Sequence, residues 1–158
     1  MQVQLISDAT ERLFALVLSP GDEVIASLVN FVVQHQVQAA SFTAIGAFED
    51  VTVGYFDWDE KAYRPTPLHE QVEVLSLVGV VASGVDGVPA VHAHVVLGRA
   101  DATVRGGHLL EGLVRPTLEV MLTEASGPLQ RRYDPASGLD LIAIKPEARR
   151  APPDRPPS

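Results

Sequence analysis

Cysteine is absent from this 158-residue sequence. Its absence excludes disulfides, iron–sulfur clusters and thiolate zinc sites, so any bound metal must be held by His, Asp or Glu, and it fits a reducing compartment. No run of about 18 apolar residues occurs, and the opening MQVQLISDATERLF lacks a basic segment followed by an apolar one, so neither a membrane-spanning helix nor a secretory leader is expected. The expected location is the cytoplasm. The glycines match neither a P-loop nor a dinucleotide fingerprint, and Ser41, Ser76 and Ser83 lie outside any nucleophile-elbow pattern. Phosphate binding and Ser-His-Asp hydrolysis therefore have no specific support.

Basic residues are also scarce. The formal net charge is -8, and of 12 Lys and Arg four fall from Lys145 onward beside two acids, which leaves 8 basic against 18 acidic residues in 1–144. A body this acidic is a poor candidate for unaided binding along a nucleic-acid backbone, which calls for a basic patch.

What is present suits one domain with a real core, since 46% of the residues are hydrophobic in a chain too short for two comfortable domains. Residues 12–18, RLFALVL, read as a strand. Ser19-Pro20-Gly21-Asp22 then reads as a helix start with a Ser cap, and Val24, Ile25, Leu28, Val29 and Val32 recur at helical spacing. Residues 39–47 and 49–57 suggest two short strands around Gly46, followed by a polar connection over 57–67 that holds the only tryptophan, Trp58. Residues 70–82 form the longest apolar strand, and Ser83-Gly84-Val85-Asp86-Gly87 supplies hairpin chemistry into the next one. A strand over 113–124 contains Pro116, which marks an edge or a bulge, and 131–144 has room for one short strand. This pattern predicts an α+β fold, a mainly antiparallel sheet with one main helix packed on it. The domain spans 1–145, and 146–158, rich in Pro and Arg without a large apolar residue, is expected to be a disordered tail.

Three of the five histidines fall within PAVHAHVVLGRADATVRGGH, residues 89–108. The alternation in Val91-His92-Ala93-His94-Val95 puts His92 and His94 on one face of a strand. Same-face neighbours lie roughly 6 to 7 Å apart, and two rings can then converge on one ion about 2 Å from each ligating nitrogen. His108 follows Gly106-Gly107, a pair able to turn the backbone and return a third imidazole to that strand. Three imidazoles with an open fourth position suit zinc or another divalent metal. The same His-x-His spacing also occurs on exposed strands and at subunit interfaces with no ion. Glu73 interrupts the apolar stripe of Leu75 and Leu77. It is a candidate to orient a histidine, ligate the metal or act as the proton-transfer group of a small zinc-dependent enzyme, and equally to pair with an arginine at an edge.

The segments RLFALVLSPGDEV, SFTAIGAFEDVTVGYFD, VEVLSLVGVV, HAHVVLGRADATVRGGHLLEGLV and PTLEVMLTE occur in this order between about Glu11 and Glu124. The chain thereby resembles the PPC domain, the plant and prokaryote domain that accompanies AT-hooks in plant nuclear proteins. The resemblance implies a compact α+β domain with one predominantly antiparallel sheet, a homotrimeric assembly serving regulation or protein association, and a place for Glu73 in the family's acid-apolar strand motif. It further implies a metal site at His92, His94 and His108. The AT-hook core Arg-Gly-Arg-Pro is missing, and the tail RRAPPDRPP has no glycine to settle into a narrow groove. That departure counts against direct DNA binding.

Overall fold

In the computed structural model, which describes residues 1–7 and 11–144, alternation decides which side of each strand is buried. In β2 (Leu13–Leu18) Phe14, Leu16 and Leu18 point into the core, and β1 (Gln2–Ser7) pairs with its outer edge. Helix α1 (Val24–Gln34) buries Val24, Leu28, Phe31 and Val32, one stripe at 3.6-residue spacing. It starts later than the Ser-Pro-Gly-Asp signal predicts. Ser19 to Asp22 instead close on themselves: the Asp22 amide donates to the Ser19 carbonyl at 3.0 Å, and the Asp22 carboxylate accepts the Ser19 amide at 2.9 Å. The cap is Glu23, whose carboxylate accepts the Ala26 amide at 2.6 Å and the Gly112 amide at 3.1 Å, fastening the helix to the sheet.

The two short strands expected around Gly46 are one bent strand, β3 (Ala39–Asp57), whose ladder survives the bend through local register shifts. The polar connection after it contains a further strand, β4 (Ala62–Leu68). Asp57 accepts the Asp59 and Glu60 amides to close the turn, and Pro65 and Pro67 are tolerated because β4 is an edge of the sheet. The apolar strand β5 (Val72–Ser83) and the histidine strand β6 (Pro89–Gly98) form the antiparallel hairpin that their turn residues predict. β7 (Val104–Glu124) is longer than its alternating half, and Pro116 falls where its register with β3 slips, at a bulge. Residues 131–144 hold a two-stranded hairpin, β8 (Arg131–Asp134) and β9 (Leu139–Ile142), because Asp134 accepts the Ser137 amide and hydroxyl and folds the intervening turn.

The result is a mostly antiparallel sheet with a single short helix among the described residues. The strand order is β1-β2-β7-β6-β5-β3-β4, and an additional β3–β7 ladder closes β3, β5, β6 and β7 into a ring. Alternate residues of these strands and the apolar stripe of α1 form one buried cluster. The opposite face of β5, β6 and β7 is left outward, and the histidines stand there. The β8–β9 hairpin is tied across the ring by the Ser83 amide donating to the Leu129 carbonyl and Lys61 Nζ donating to the Pro135 carbonyl, both at 2.9 Å. No helix among the described residues is long and apolar enough to cross a membrane. The segment 146–158 lies outside the described residues.

Candidate metal centre

Pairing register brings the three histidines together. His92 and His94 leave the outer face of β6, and His94 is flanked in the ladder by Val78 of β5 and by His108 of β7. His108 is itself paired on its other side with Gly54 of β3, so it sits in the seam where the ring closes. The Gly106-Gly107 pair does not turn the chain as the sequence suggests; the reversal is made earlier, where the Ala102 amide donates to the Arg99 carbonyl at 2.9 Å. The two glycines lie inside β7 and let it pass closely between its neighbours. A Cβ on Gly106 would stand 2.7 Å from the Val95 carbonyl oxygen, and one on Gly107 2.8 Å from that of Gly54.

The three rings converge as a metal-ligating set does, and one pair stands at the spacing of ligands on a tetrahedral ion. One ring nitrogen from each histidine lies within 4.8 Å of the others, and the Nε2 atoms of His92 and His94 are 3.2 Å apart. Two nitrogens each about 2.05 Å from a tetrahedral ion are separated by about 3.3 Å. The ring centroids are 5.1, 4.9 and 5.4 Å apart, where rings radiating tetrahedrally from one such ion would stand about 5.2 Å apart. In addition, Nδ1 of His108 is buried without a hydrogen-bond partner, an unmet requirement of the sort ion binding or a reoriented ring would satisfy.

Electrostatics keep two of the rings, His92 and His108, in their ligating form. Burial, then the neighbouring His92, His94 and Arg131, lowers the His108 pKa to about 4. Burial also lowers His92, helped by Arg131 and His94. Both are neutral near pH 7, as metal binding requires. Tyr63 of β4 stacks on His108 with centroids 4.4 Å apart and an interplanar angle of 24°.

Sequence reasoning missed two residues here, Tyr63 and Arg131. Arg131 is only 9% exposed; its Nη1 donates to the Asp140 carbonyl at 2.9 Å, while Nε and Nη2 are buried without partners. No local pattern marks either residue: Tyr63 lies on β4, in a stretch that reads as a polar connection, and Arg131 opens a hairpin where the sequence suggests a single short strand. Glu73 is placed elsewhere. It is exposed and pairs with Gly98, four residues beyond His94 on β6 and so roughly 13 Å along the strand. Within one chain it does not join the histidines.

A closed antiparallel sheet carrying three outward histidines defines the class, and comparison with known proteins supplies the family. The sequence profile of the Plants and Prokaryotes Conserved (PCC) domain matches residues 6–126. The chain belongs to this family, the PPC domain of the resemblance above. Among solved structures, a plant- and prokaryote-conserved protein from Pyrococcus horikoshii is 32% identical, with 92% of this chain and 96% of that one covered and a TM-score of 0.80. A metal-containing protein from Archaeoglobus fulgidus is 33% identical over 90% and 97% of the two chains, with a TM-score of 0.79. A candidate DNA-binding protein from Ralstonia eutropha is 28% identical over 84% and 91%, at 0.78. No curated protein matches the chain at a significant level.

Proposed function

We propose that this chain is a homotrimeric binding module of the PPC class that holds one divalent ion, zinc in the first instance, on His92, His94 and His108 of each subunit. The observation that carries the reading is the convergence of the three imidazoles, whose ring nitrogens lie within 4.8 Å of one another and whose centroids stand 4.9 to 5.4 Å apart. Its likeness to a metal-containing archaeal protein of 33% identity adds support.

Self-association is supported by the face the histidines share. Ala15, Met121, Thr43, Val78 and His94 occupy one continuous cross-strand row, and around it Ile45, Leu75, Val78, Val96 and Met121 are exposed by between 42% and 60%. A groove of about 420 Å³ runs between Val17, Ile45, Leu75 and Met121. An apolar surface of this continuity marks a contact site, and a second copy seated on it would border the metal centre at Val78. The role of such an assembly is regulation or protein association. Direct DNA contact has no part in the reading: the charge is acidic and the hook motif is missing. The enzyme reading with Glu73 as proton-transfer group is not favoured by its position.

Native mass spectrometry after zinc supplementation tests the proposal. The expected species is a trimer carrying three zinc ions; a metal-free monomer overturns it.

A further inference from the structure

A groove of about 280 Å³ opens beside the histidines, walled by Val78, Gly79, Val80, His92 and His94. The pairing register builds it. Val78 is the ladder partner of His94 and Val80 that of His92, so two valines of β5 stand across from two imidazoles of β6. Side chains opposed in this way have Cβ atoms about 4.5–5.5 Å apart. The other flank of the centre is covered, because His108 lies in the seam beside Gly54 of β3 and carries the stacked ring of Tyr63.

The wall of this groove is chemically one-sided. No Asp, Glu, Lys or Arg lines it, and its only polar side-chain atoms are the nitrogens of the two imidazoles. The Gly79 backbone lies in the ladders with Phe42 and Ala93. Once the ring nitrogens are turned to an ion, a ligand in the groove meets hydrocarbon and ring faces. Any polar atom it placed there would lose its hydration without gaining a partner. At the ion the demand is the opposite: three neutral imidazoles leave a divalent ion its full charge and a fourth position for one more ligand.

We infer that this groove is the binding site of a small aliphatic monocarboxylate, whose single anionic head meets the ion held by His92, His94 and His108 and whose hydrocarbon tail lies along Val78 and Val80. The inference rests on the metal reading above and adds the ligand class. Ligand sites run from about 300 to 1,000 Å³, and a groove at the small end of that range limits the tail to a few carbons. Val78 belongs also to the apolar row, so a second copy seated there would wall the groove on that side and leave the end at Val80 and His92 as its mouth.

Cobalt(II) in place of zinc makes the test visible. Wild-type protein and the variant Val80→Thr are loaded with cobalt(II) and titrated with acetate, propionate, butyrate and pentanoate, with cobalt content and the visible cobalt bands as readouts. Val80→Thr keeps the shape of the side chain and puts a hydroxyl in the wall. The expected result is equal cobalt content in both proteins. In the wild type the half-saturating concentration should fall about two- to fourfold with each added methylene, the effect of taking half or all of a CH₂ group out of water. In Val80→Thr the increment should shrink. No band change with any of the four, half-saturation that ignores tail length, or the same increment in both proteins overturns the carboxylate site and leaves the metal centre standing. A wild type that takes no cobalt overturns both. If Val80→Thr does not fold, the wild-type series decides alone.

Discussion

Acidification should destabilise the metal-free protein through His108 before its carboxylates respond. The folded state holds this imidazole near a pKa of about 4, against 6.5 in the absence of the fold. As pH falls from 7 the unfolded chain therefore takes up a proton that the folded chain refuses. The stabilisation is complete above 6.5 and is lost toward 4. For a single group with those values the linkage integral between about pH 7 and about pH 5 is about 1.8 kcal/mol. His108 is only partly buried, and solvent screening reduces this to about 1 kcal/mol. His92, lowered for similar reasons, adds in the same direction. The assay is urea unfolding of metal-free protein at the two pH values, wild type against His108→Asn. The variant loses the stack on Tyr63 and with it some absolute stability, so the readout is the change with pH. Wild type should lose about 1 kcal/mol more than the variant over this window. Identical losses would show that the fold does not hold the ring neutral.

Gly79→Ala should cost about 1 to 3 kcal/mol, because a Cβ there would stand 2.2 Å from Phe42 Cζ and 2.8 Å from the His92 carbonyl oxygen; thermal unfolding measures it, and weaker zinc binding should accompany it as β6 is pushed outward. Glu23→Ala, which removes both the helix cap and the clasp to Gly112, should cost about 1 to 2 kcal/mol by the same method. Val78→Asp should leave the monomer folded by circular dichroism and shift its sedimentation to that of a single chain, since it places a charge in the centre of the apolar row. Glu73→Gln should bind zinc as the wild type does in a calorimetric titration, given its place beside Gly98.

The parts of this molecule that could be read in the sequence are the ones whose signal is local. Period-two alternation in VHAHV placed two histidines on one face, and the Gly-Val-Asp-Gly turn joined that strand to its neighbour. The helix was legible from its stripe but not from its start, because the Asp22 carboxylate bonds back to Ser19 and leaves Glu23 as the cap. What escaped was set by contacts distant in sequence. The ring closure through β3 and β7 has no local mark, and so Gly106-Gly107 looked like a turn when it is a close passage between strands. β4 was hidden by its prolines, which an edge strand tolerates, and with it went Tyr63. Arg131 sits in a polar stretch whose burial depends wholly on where the β8–β9 hairpin docks.

The central claim is that His92, His94 and His108 hold one divalent ion. Crystals of zinc-supplemented protein, measured on both sides of the zinc absorption edge, test it most directly. The account predicts one anomalous peak per subunit about 2.0–2.1 Å from a ring nitrogen of each of the three histidines. A map with no peak there, or with zinc held by other side chains, would contradict it.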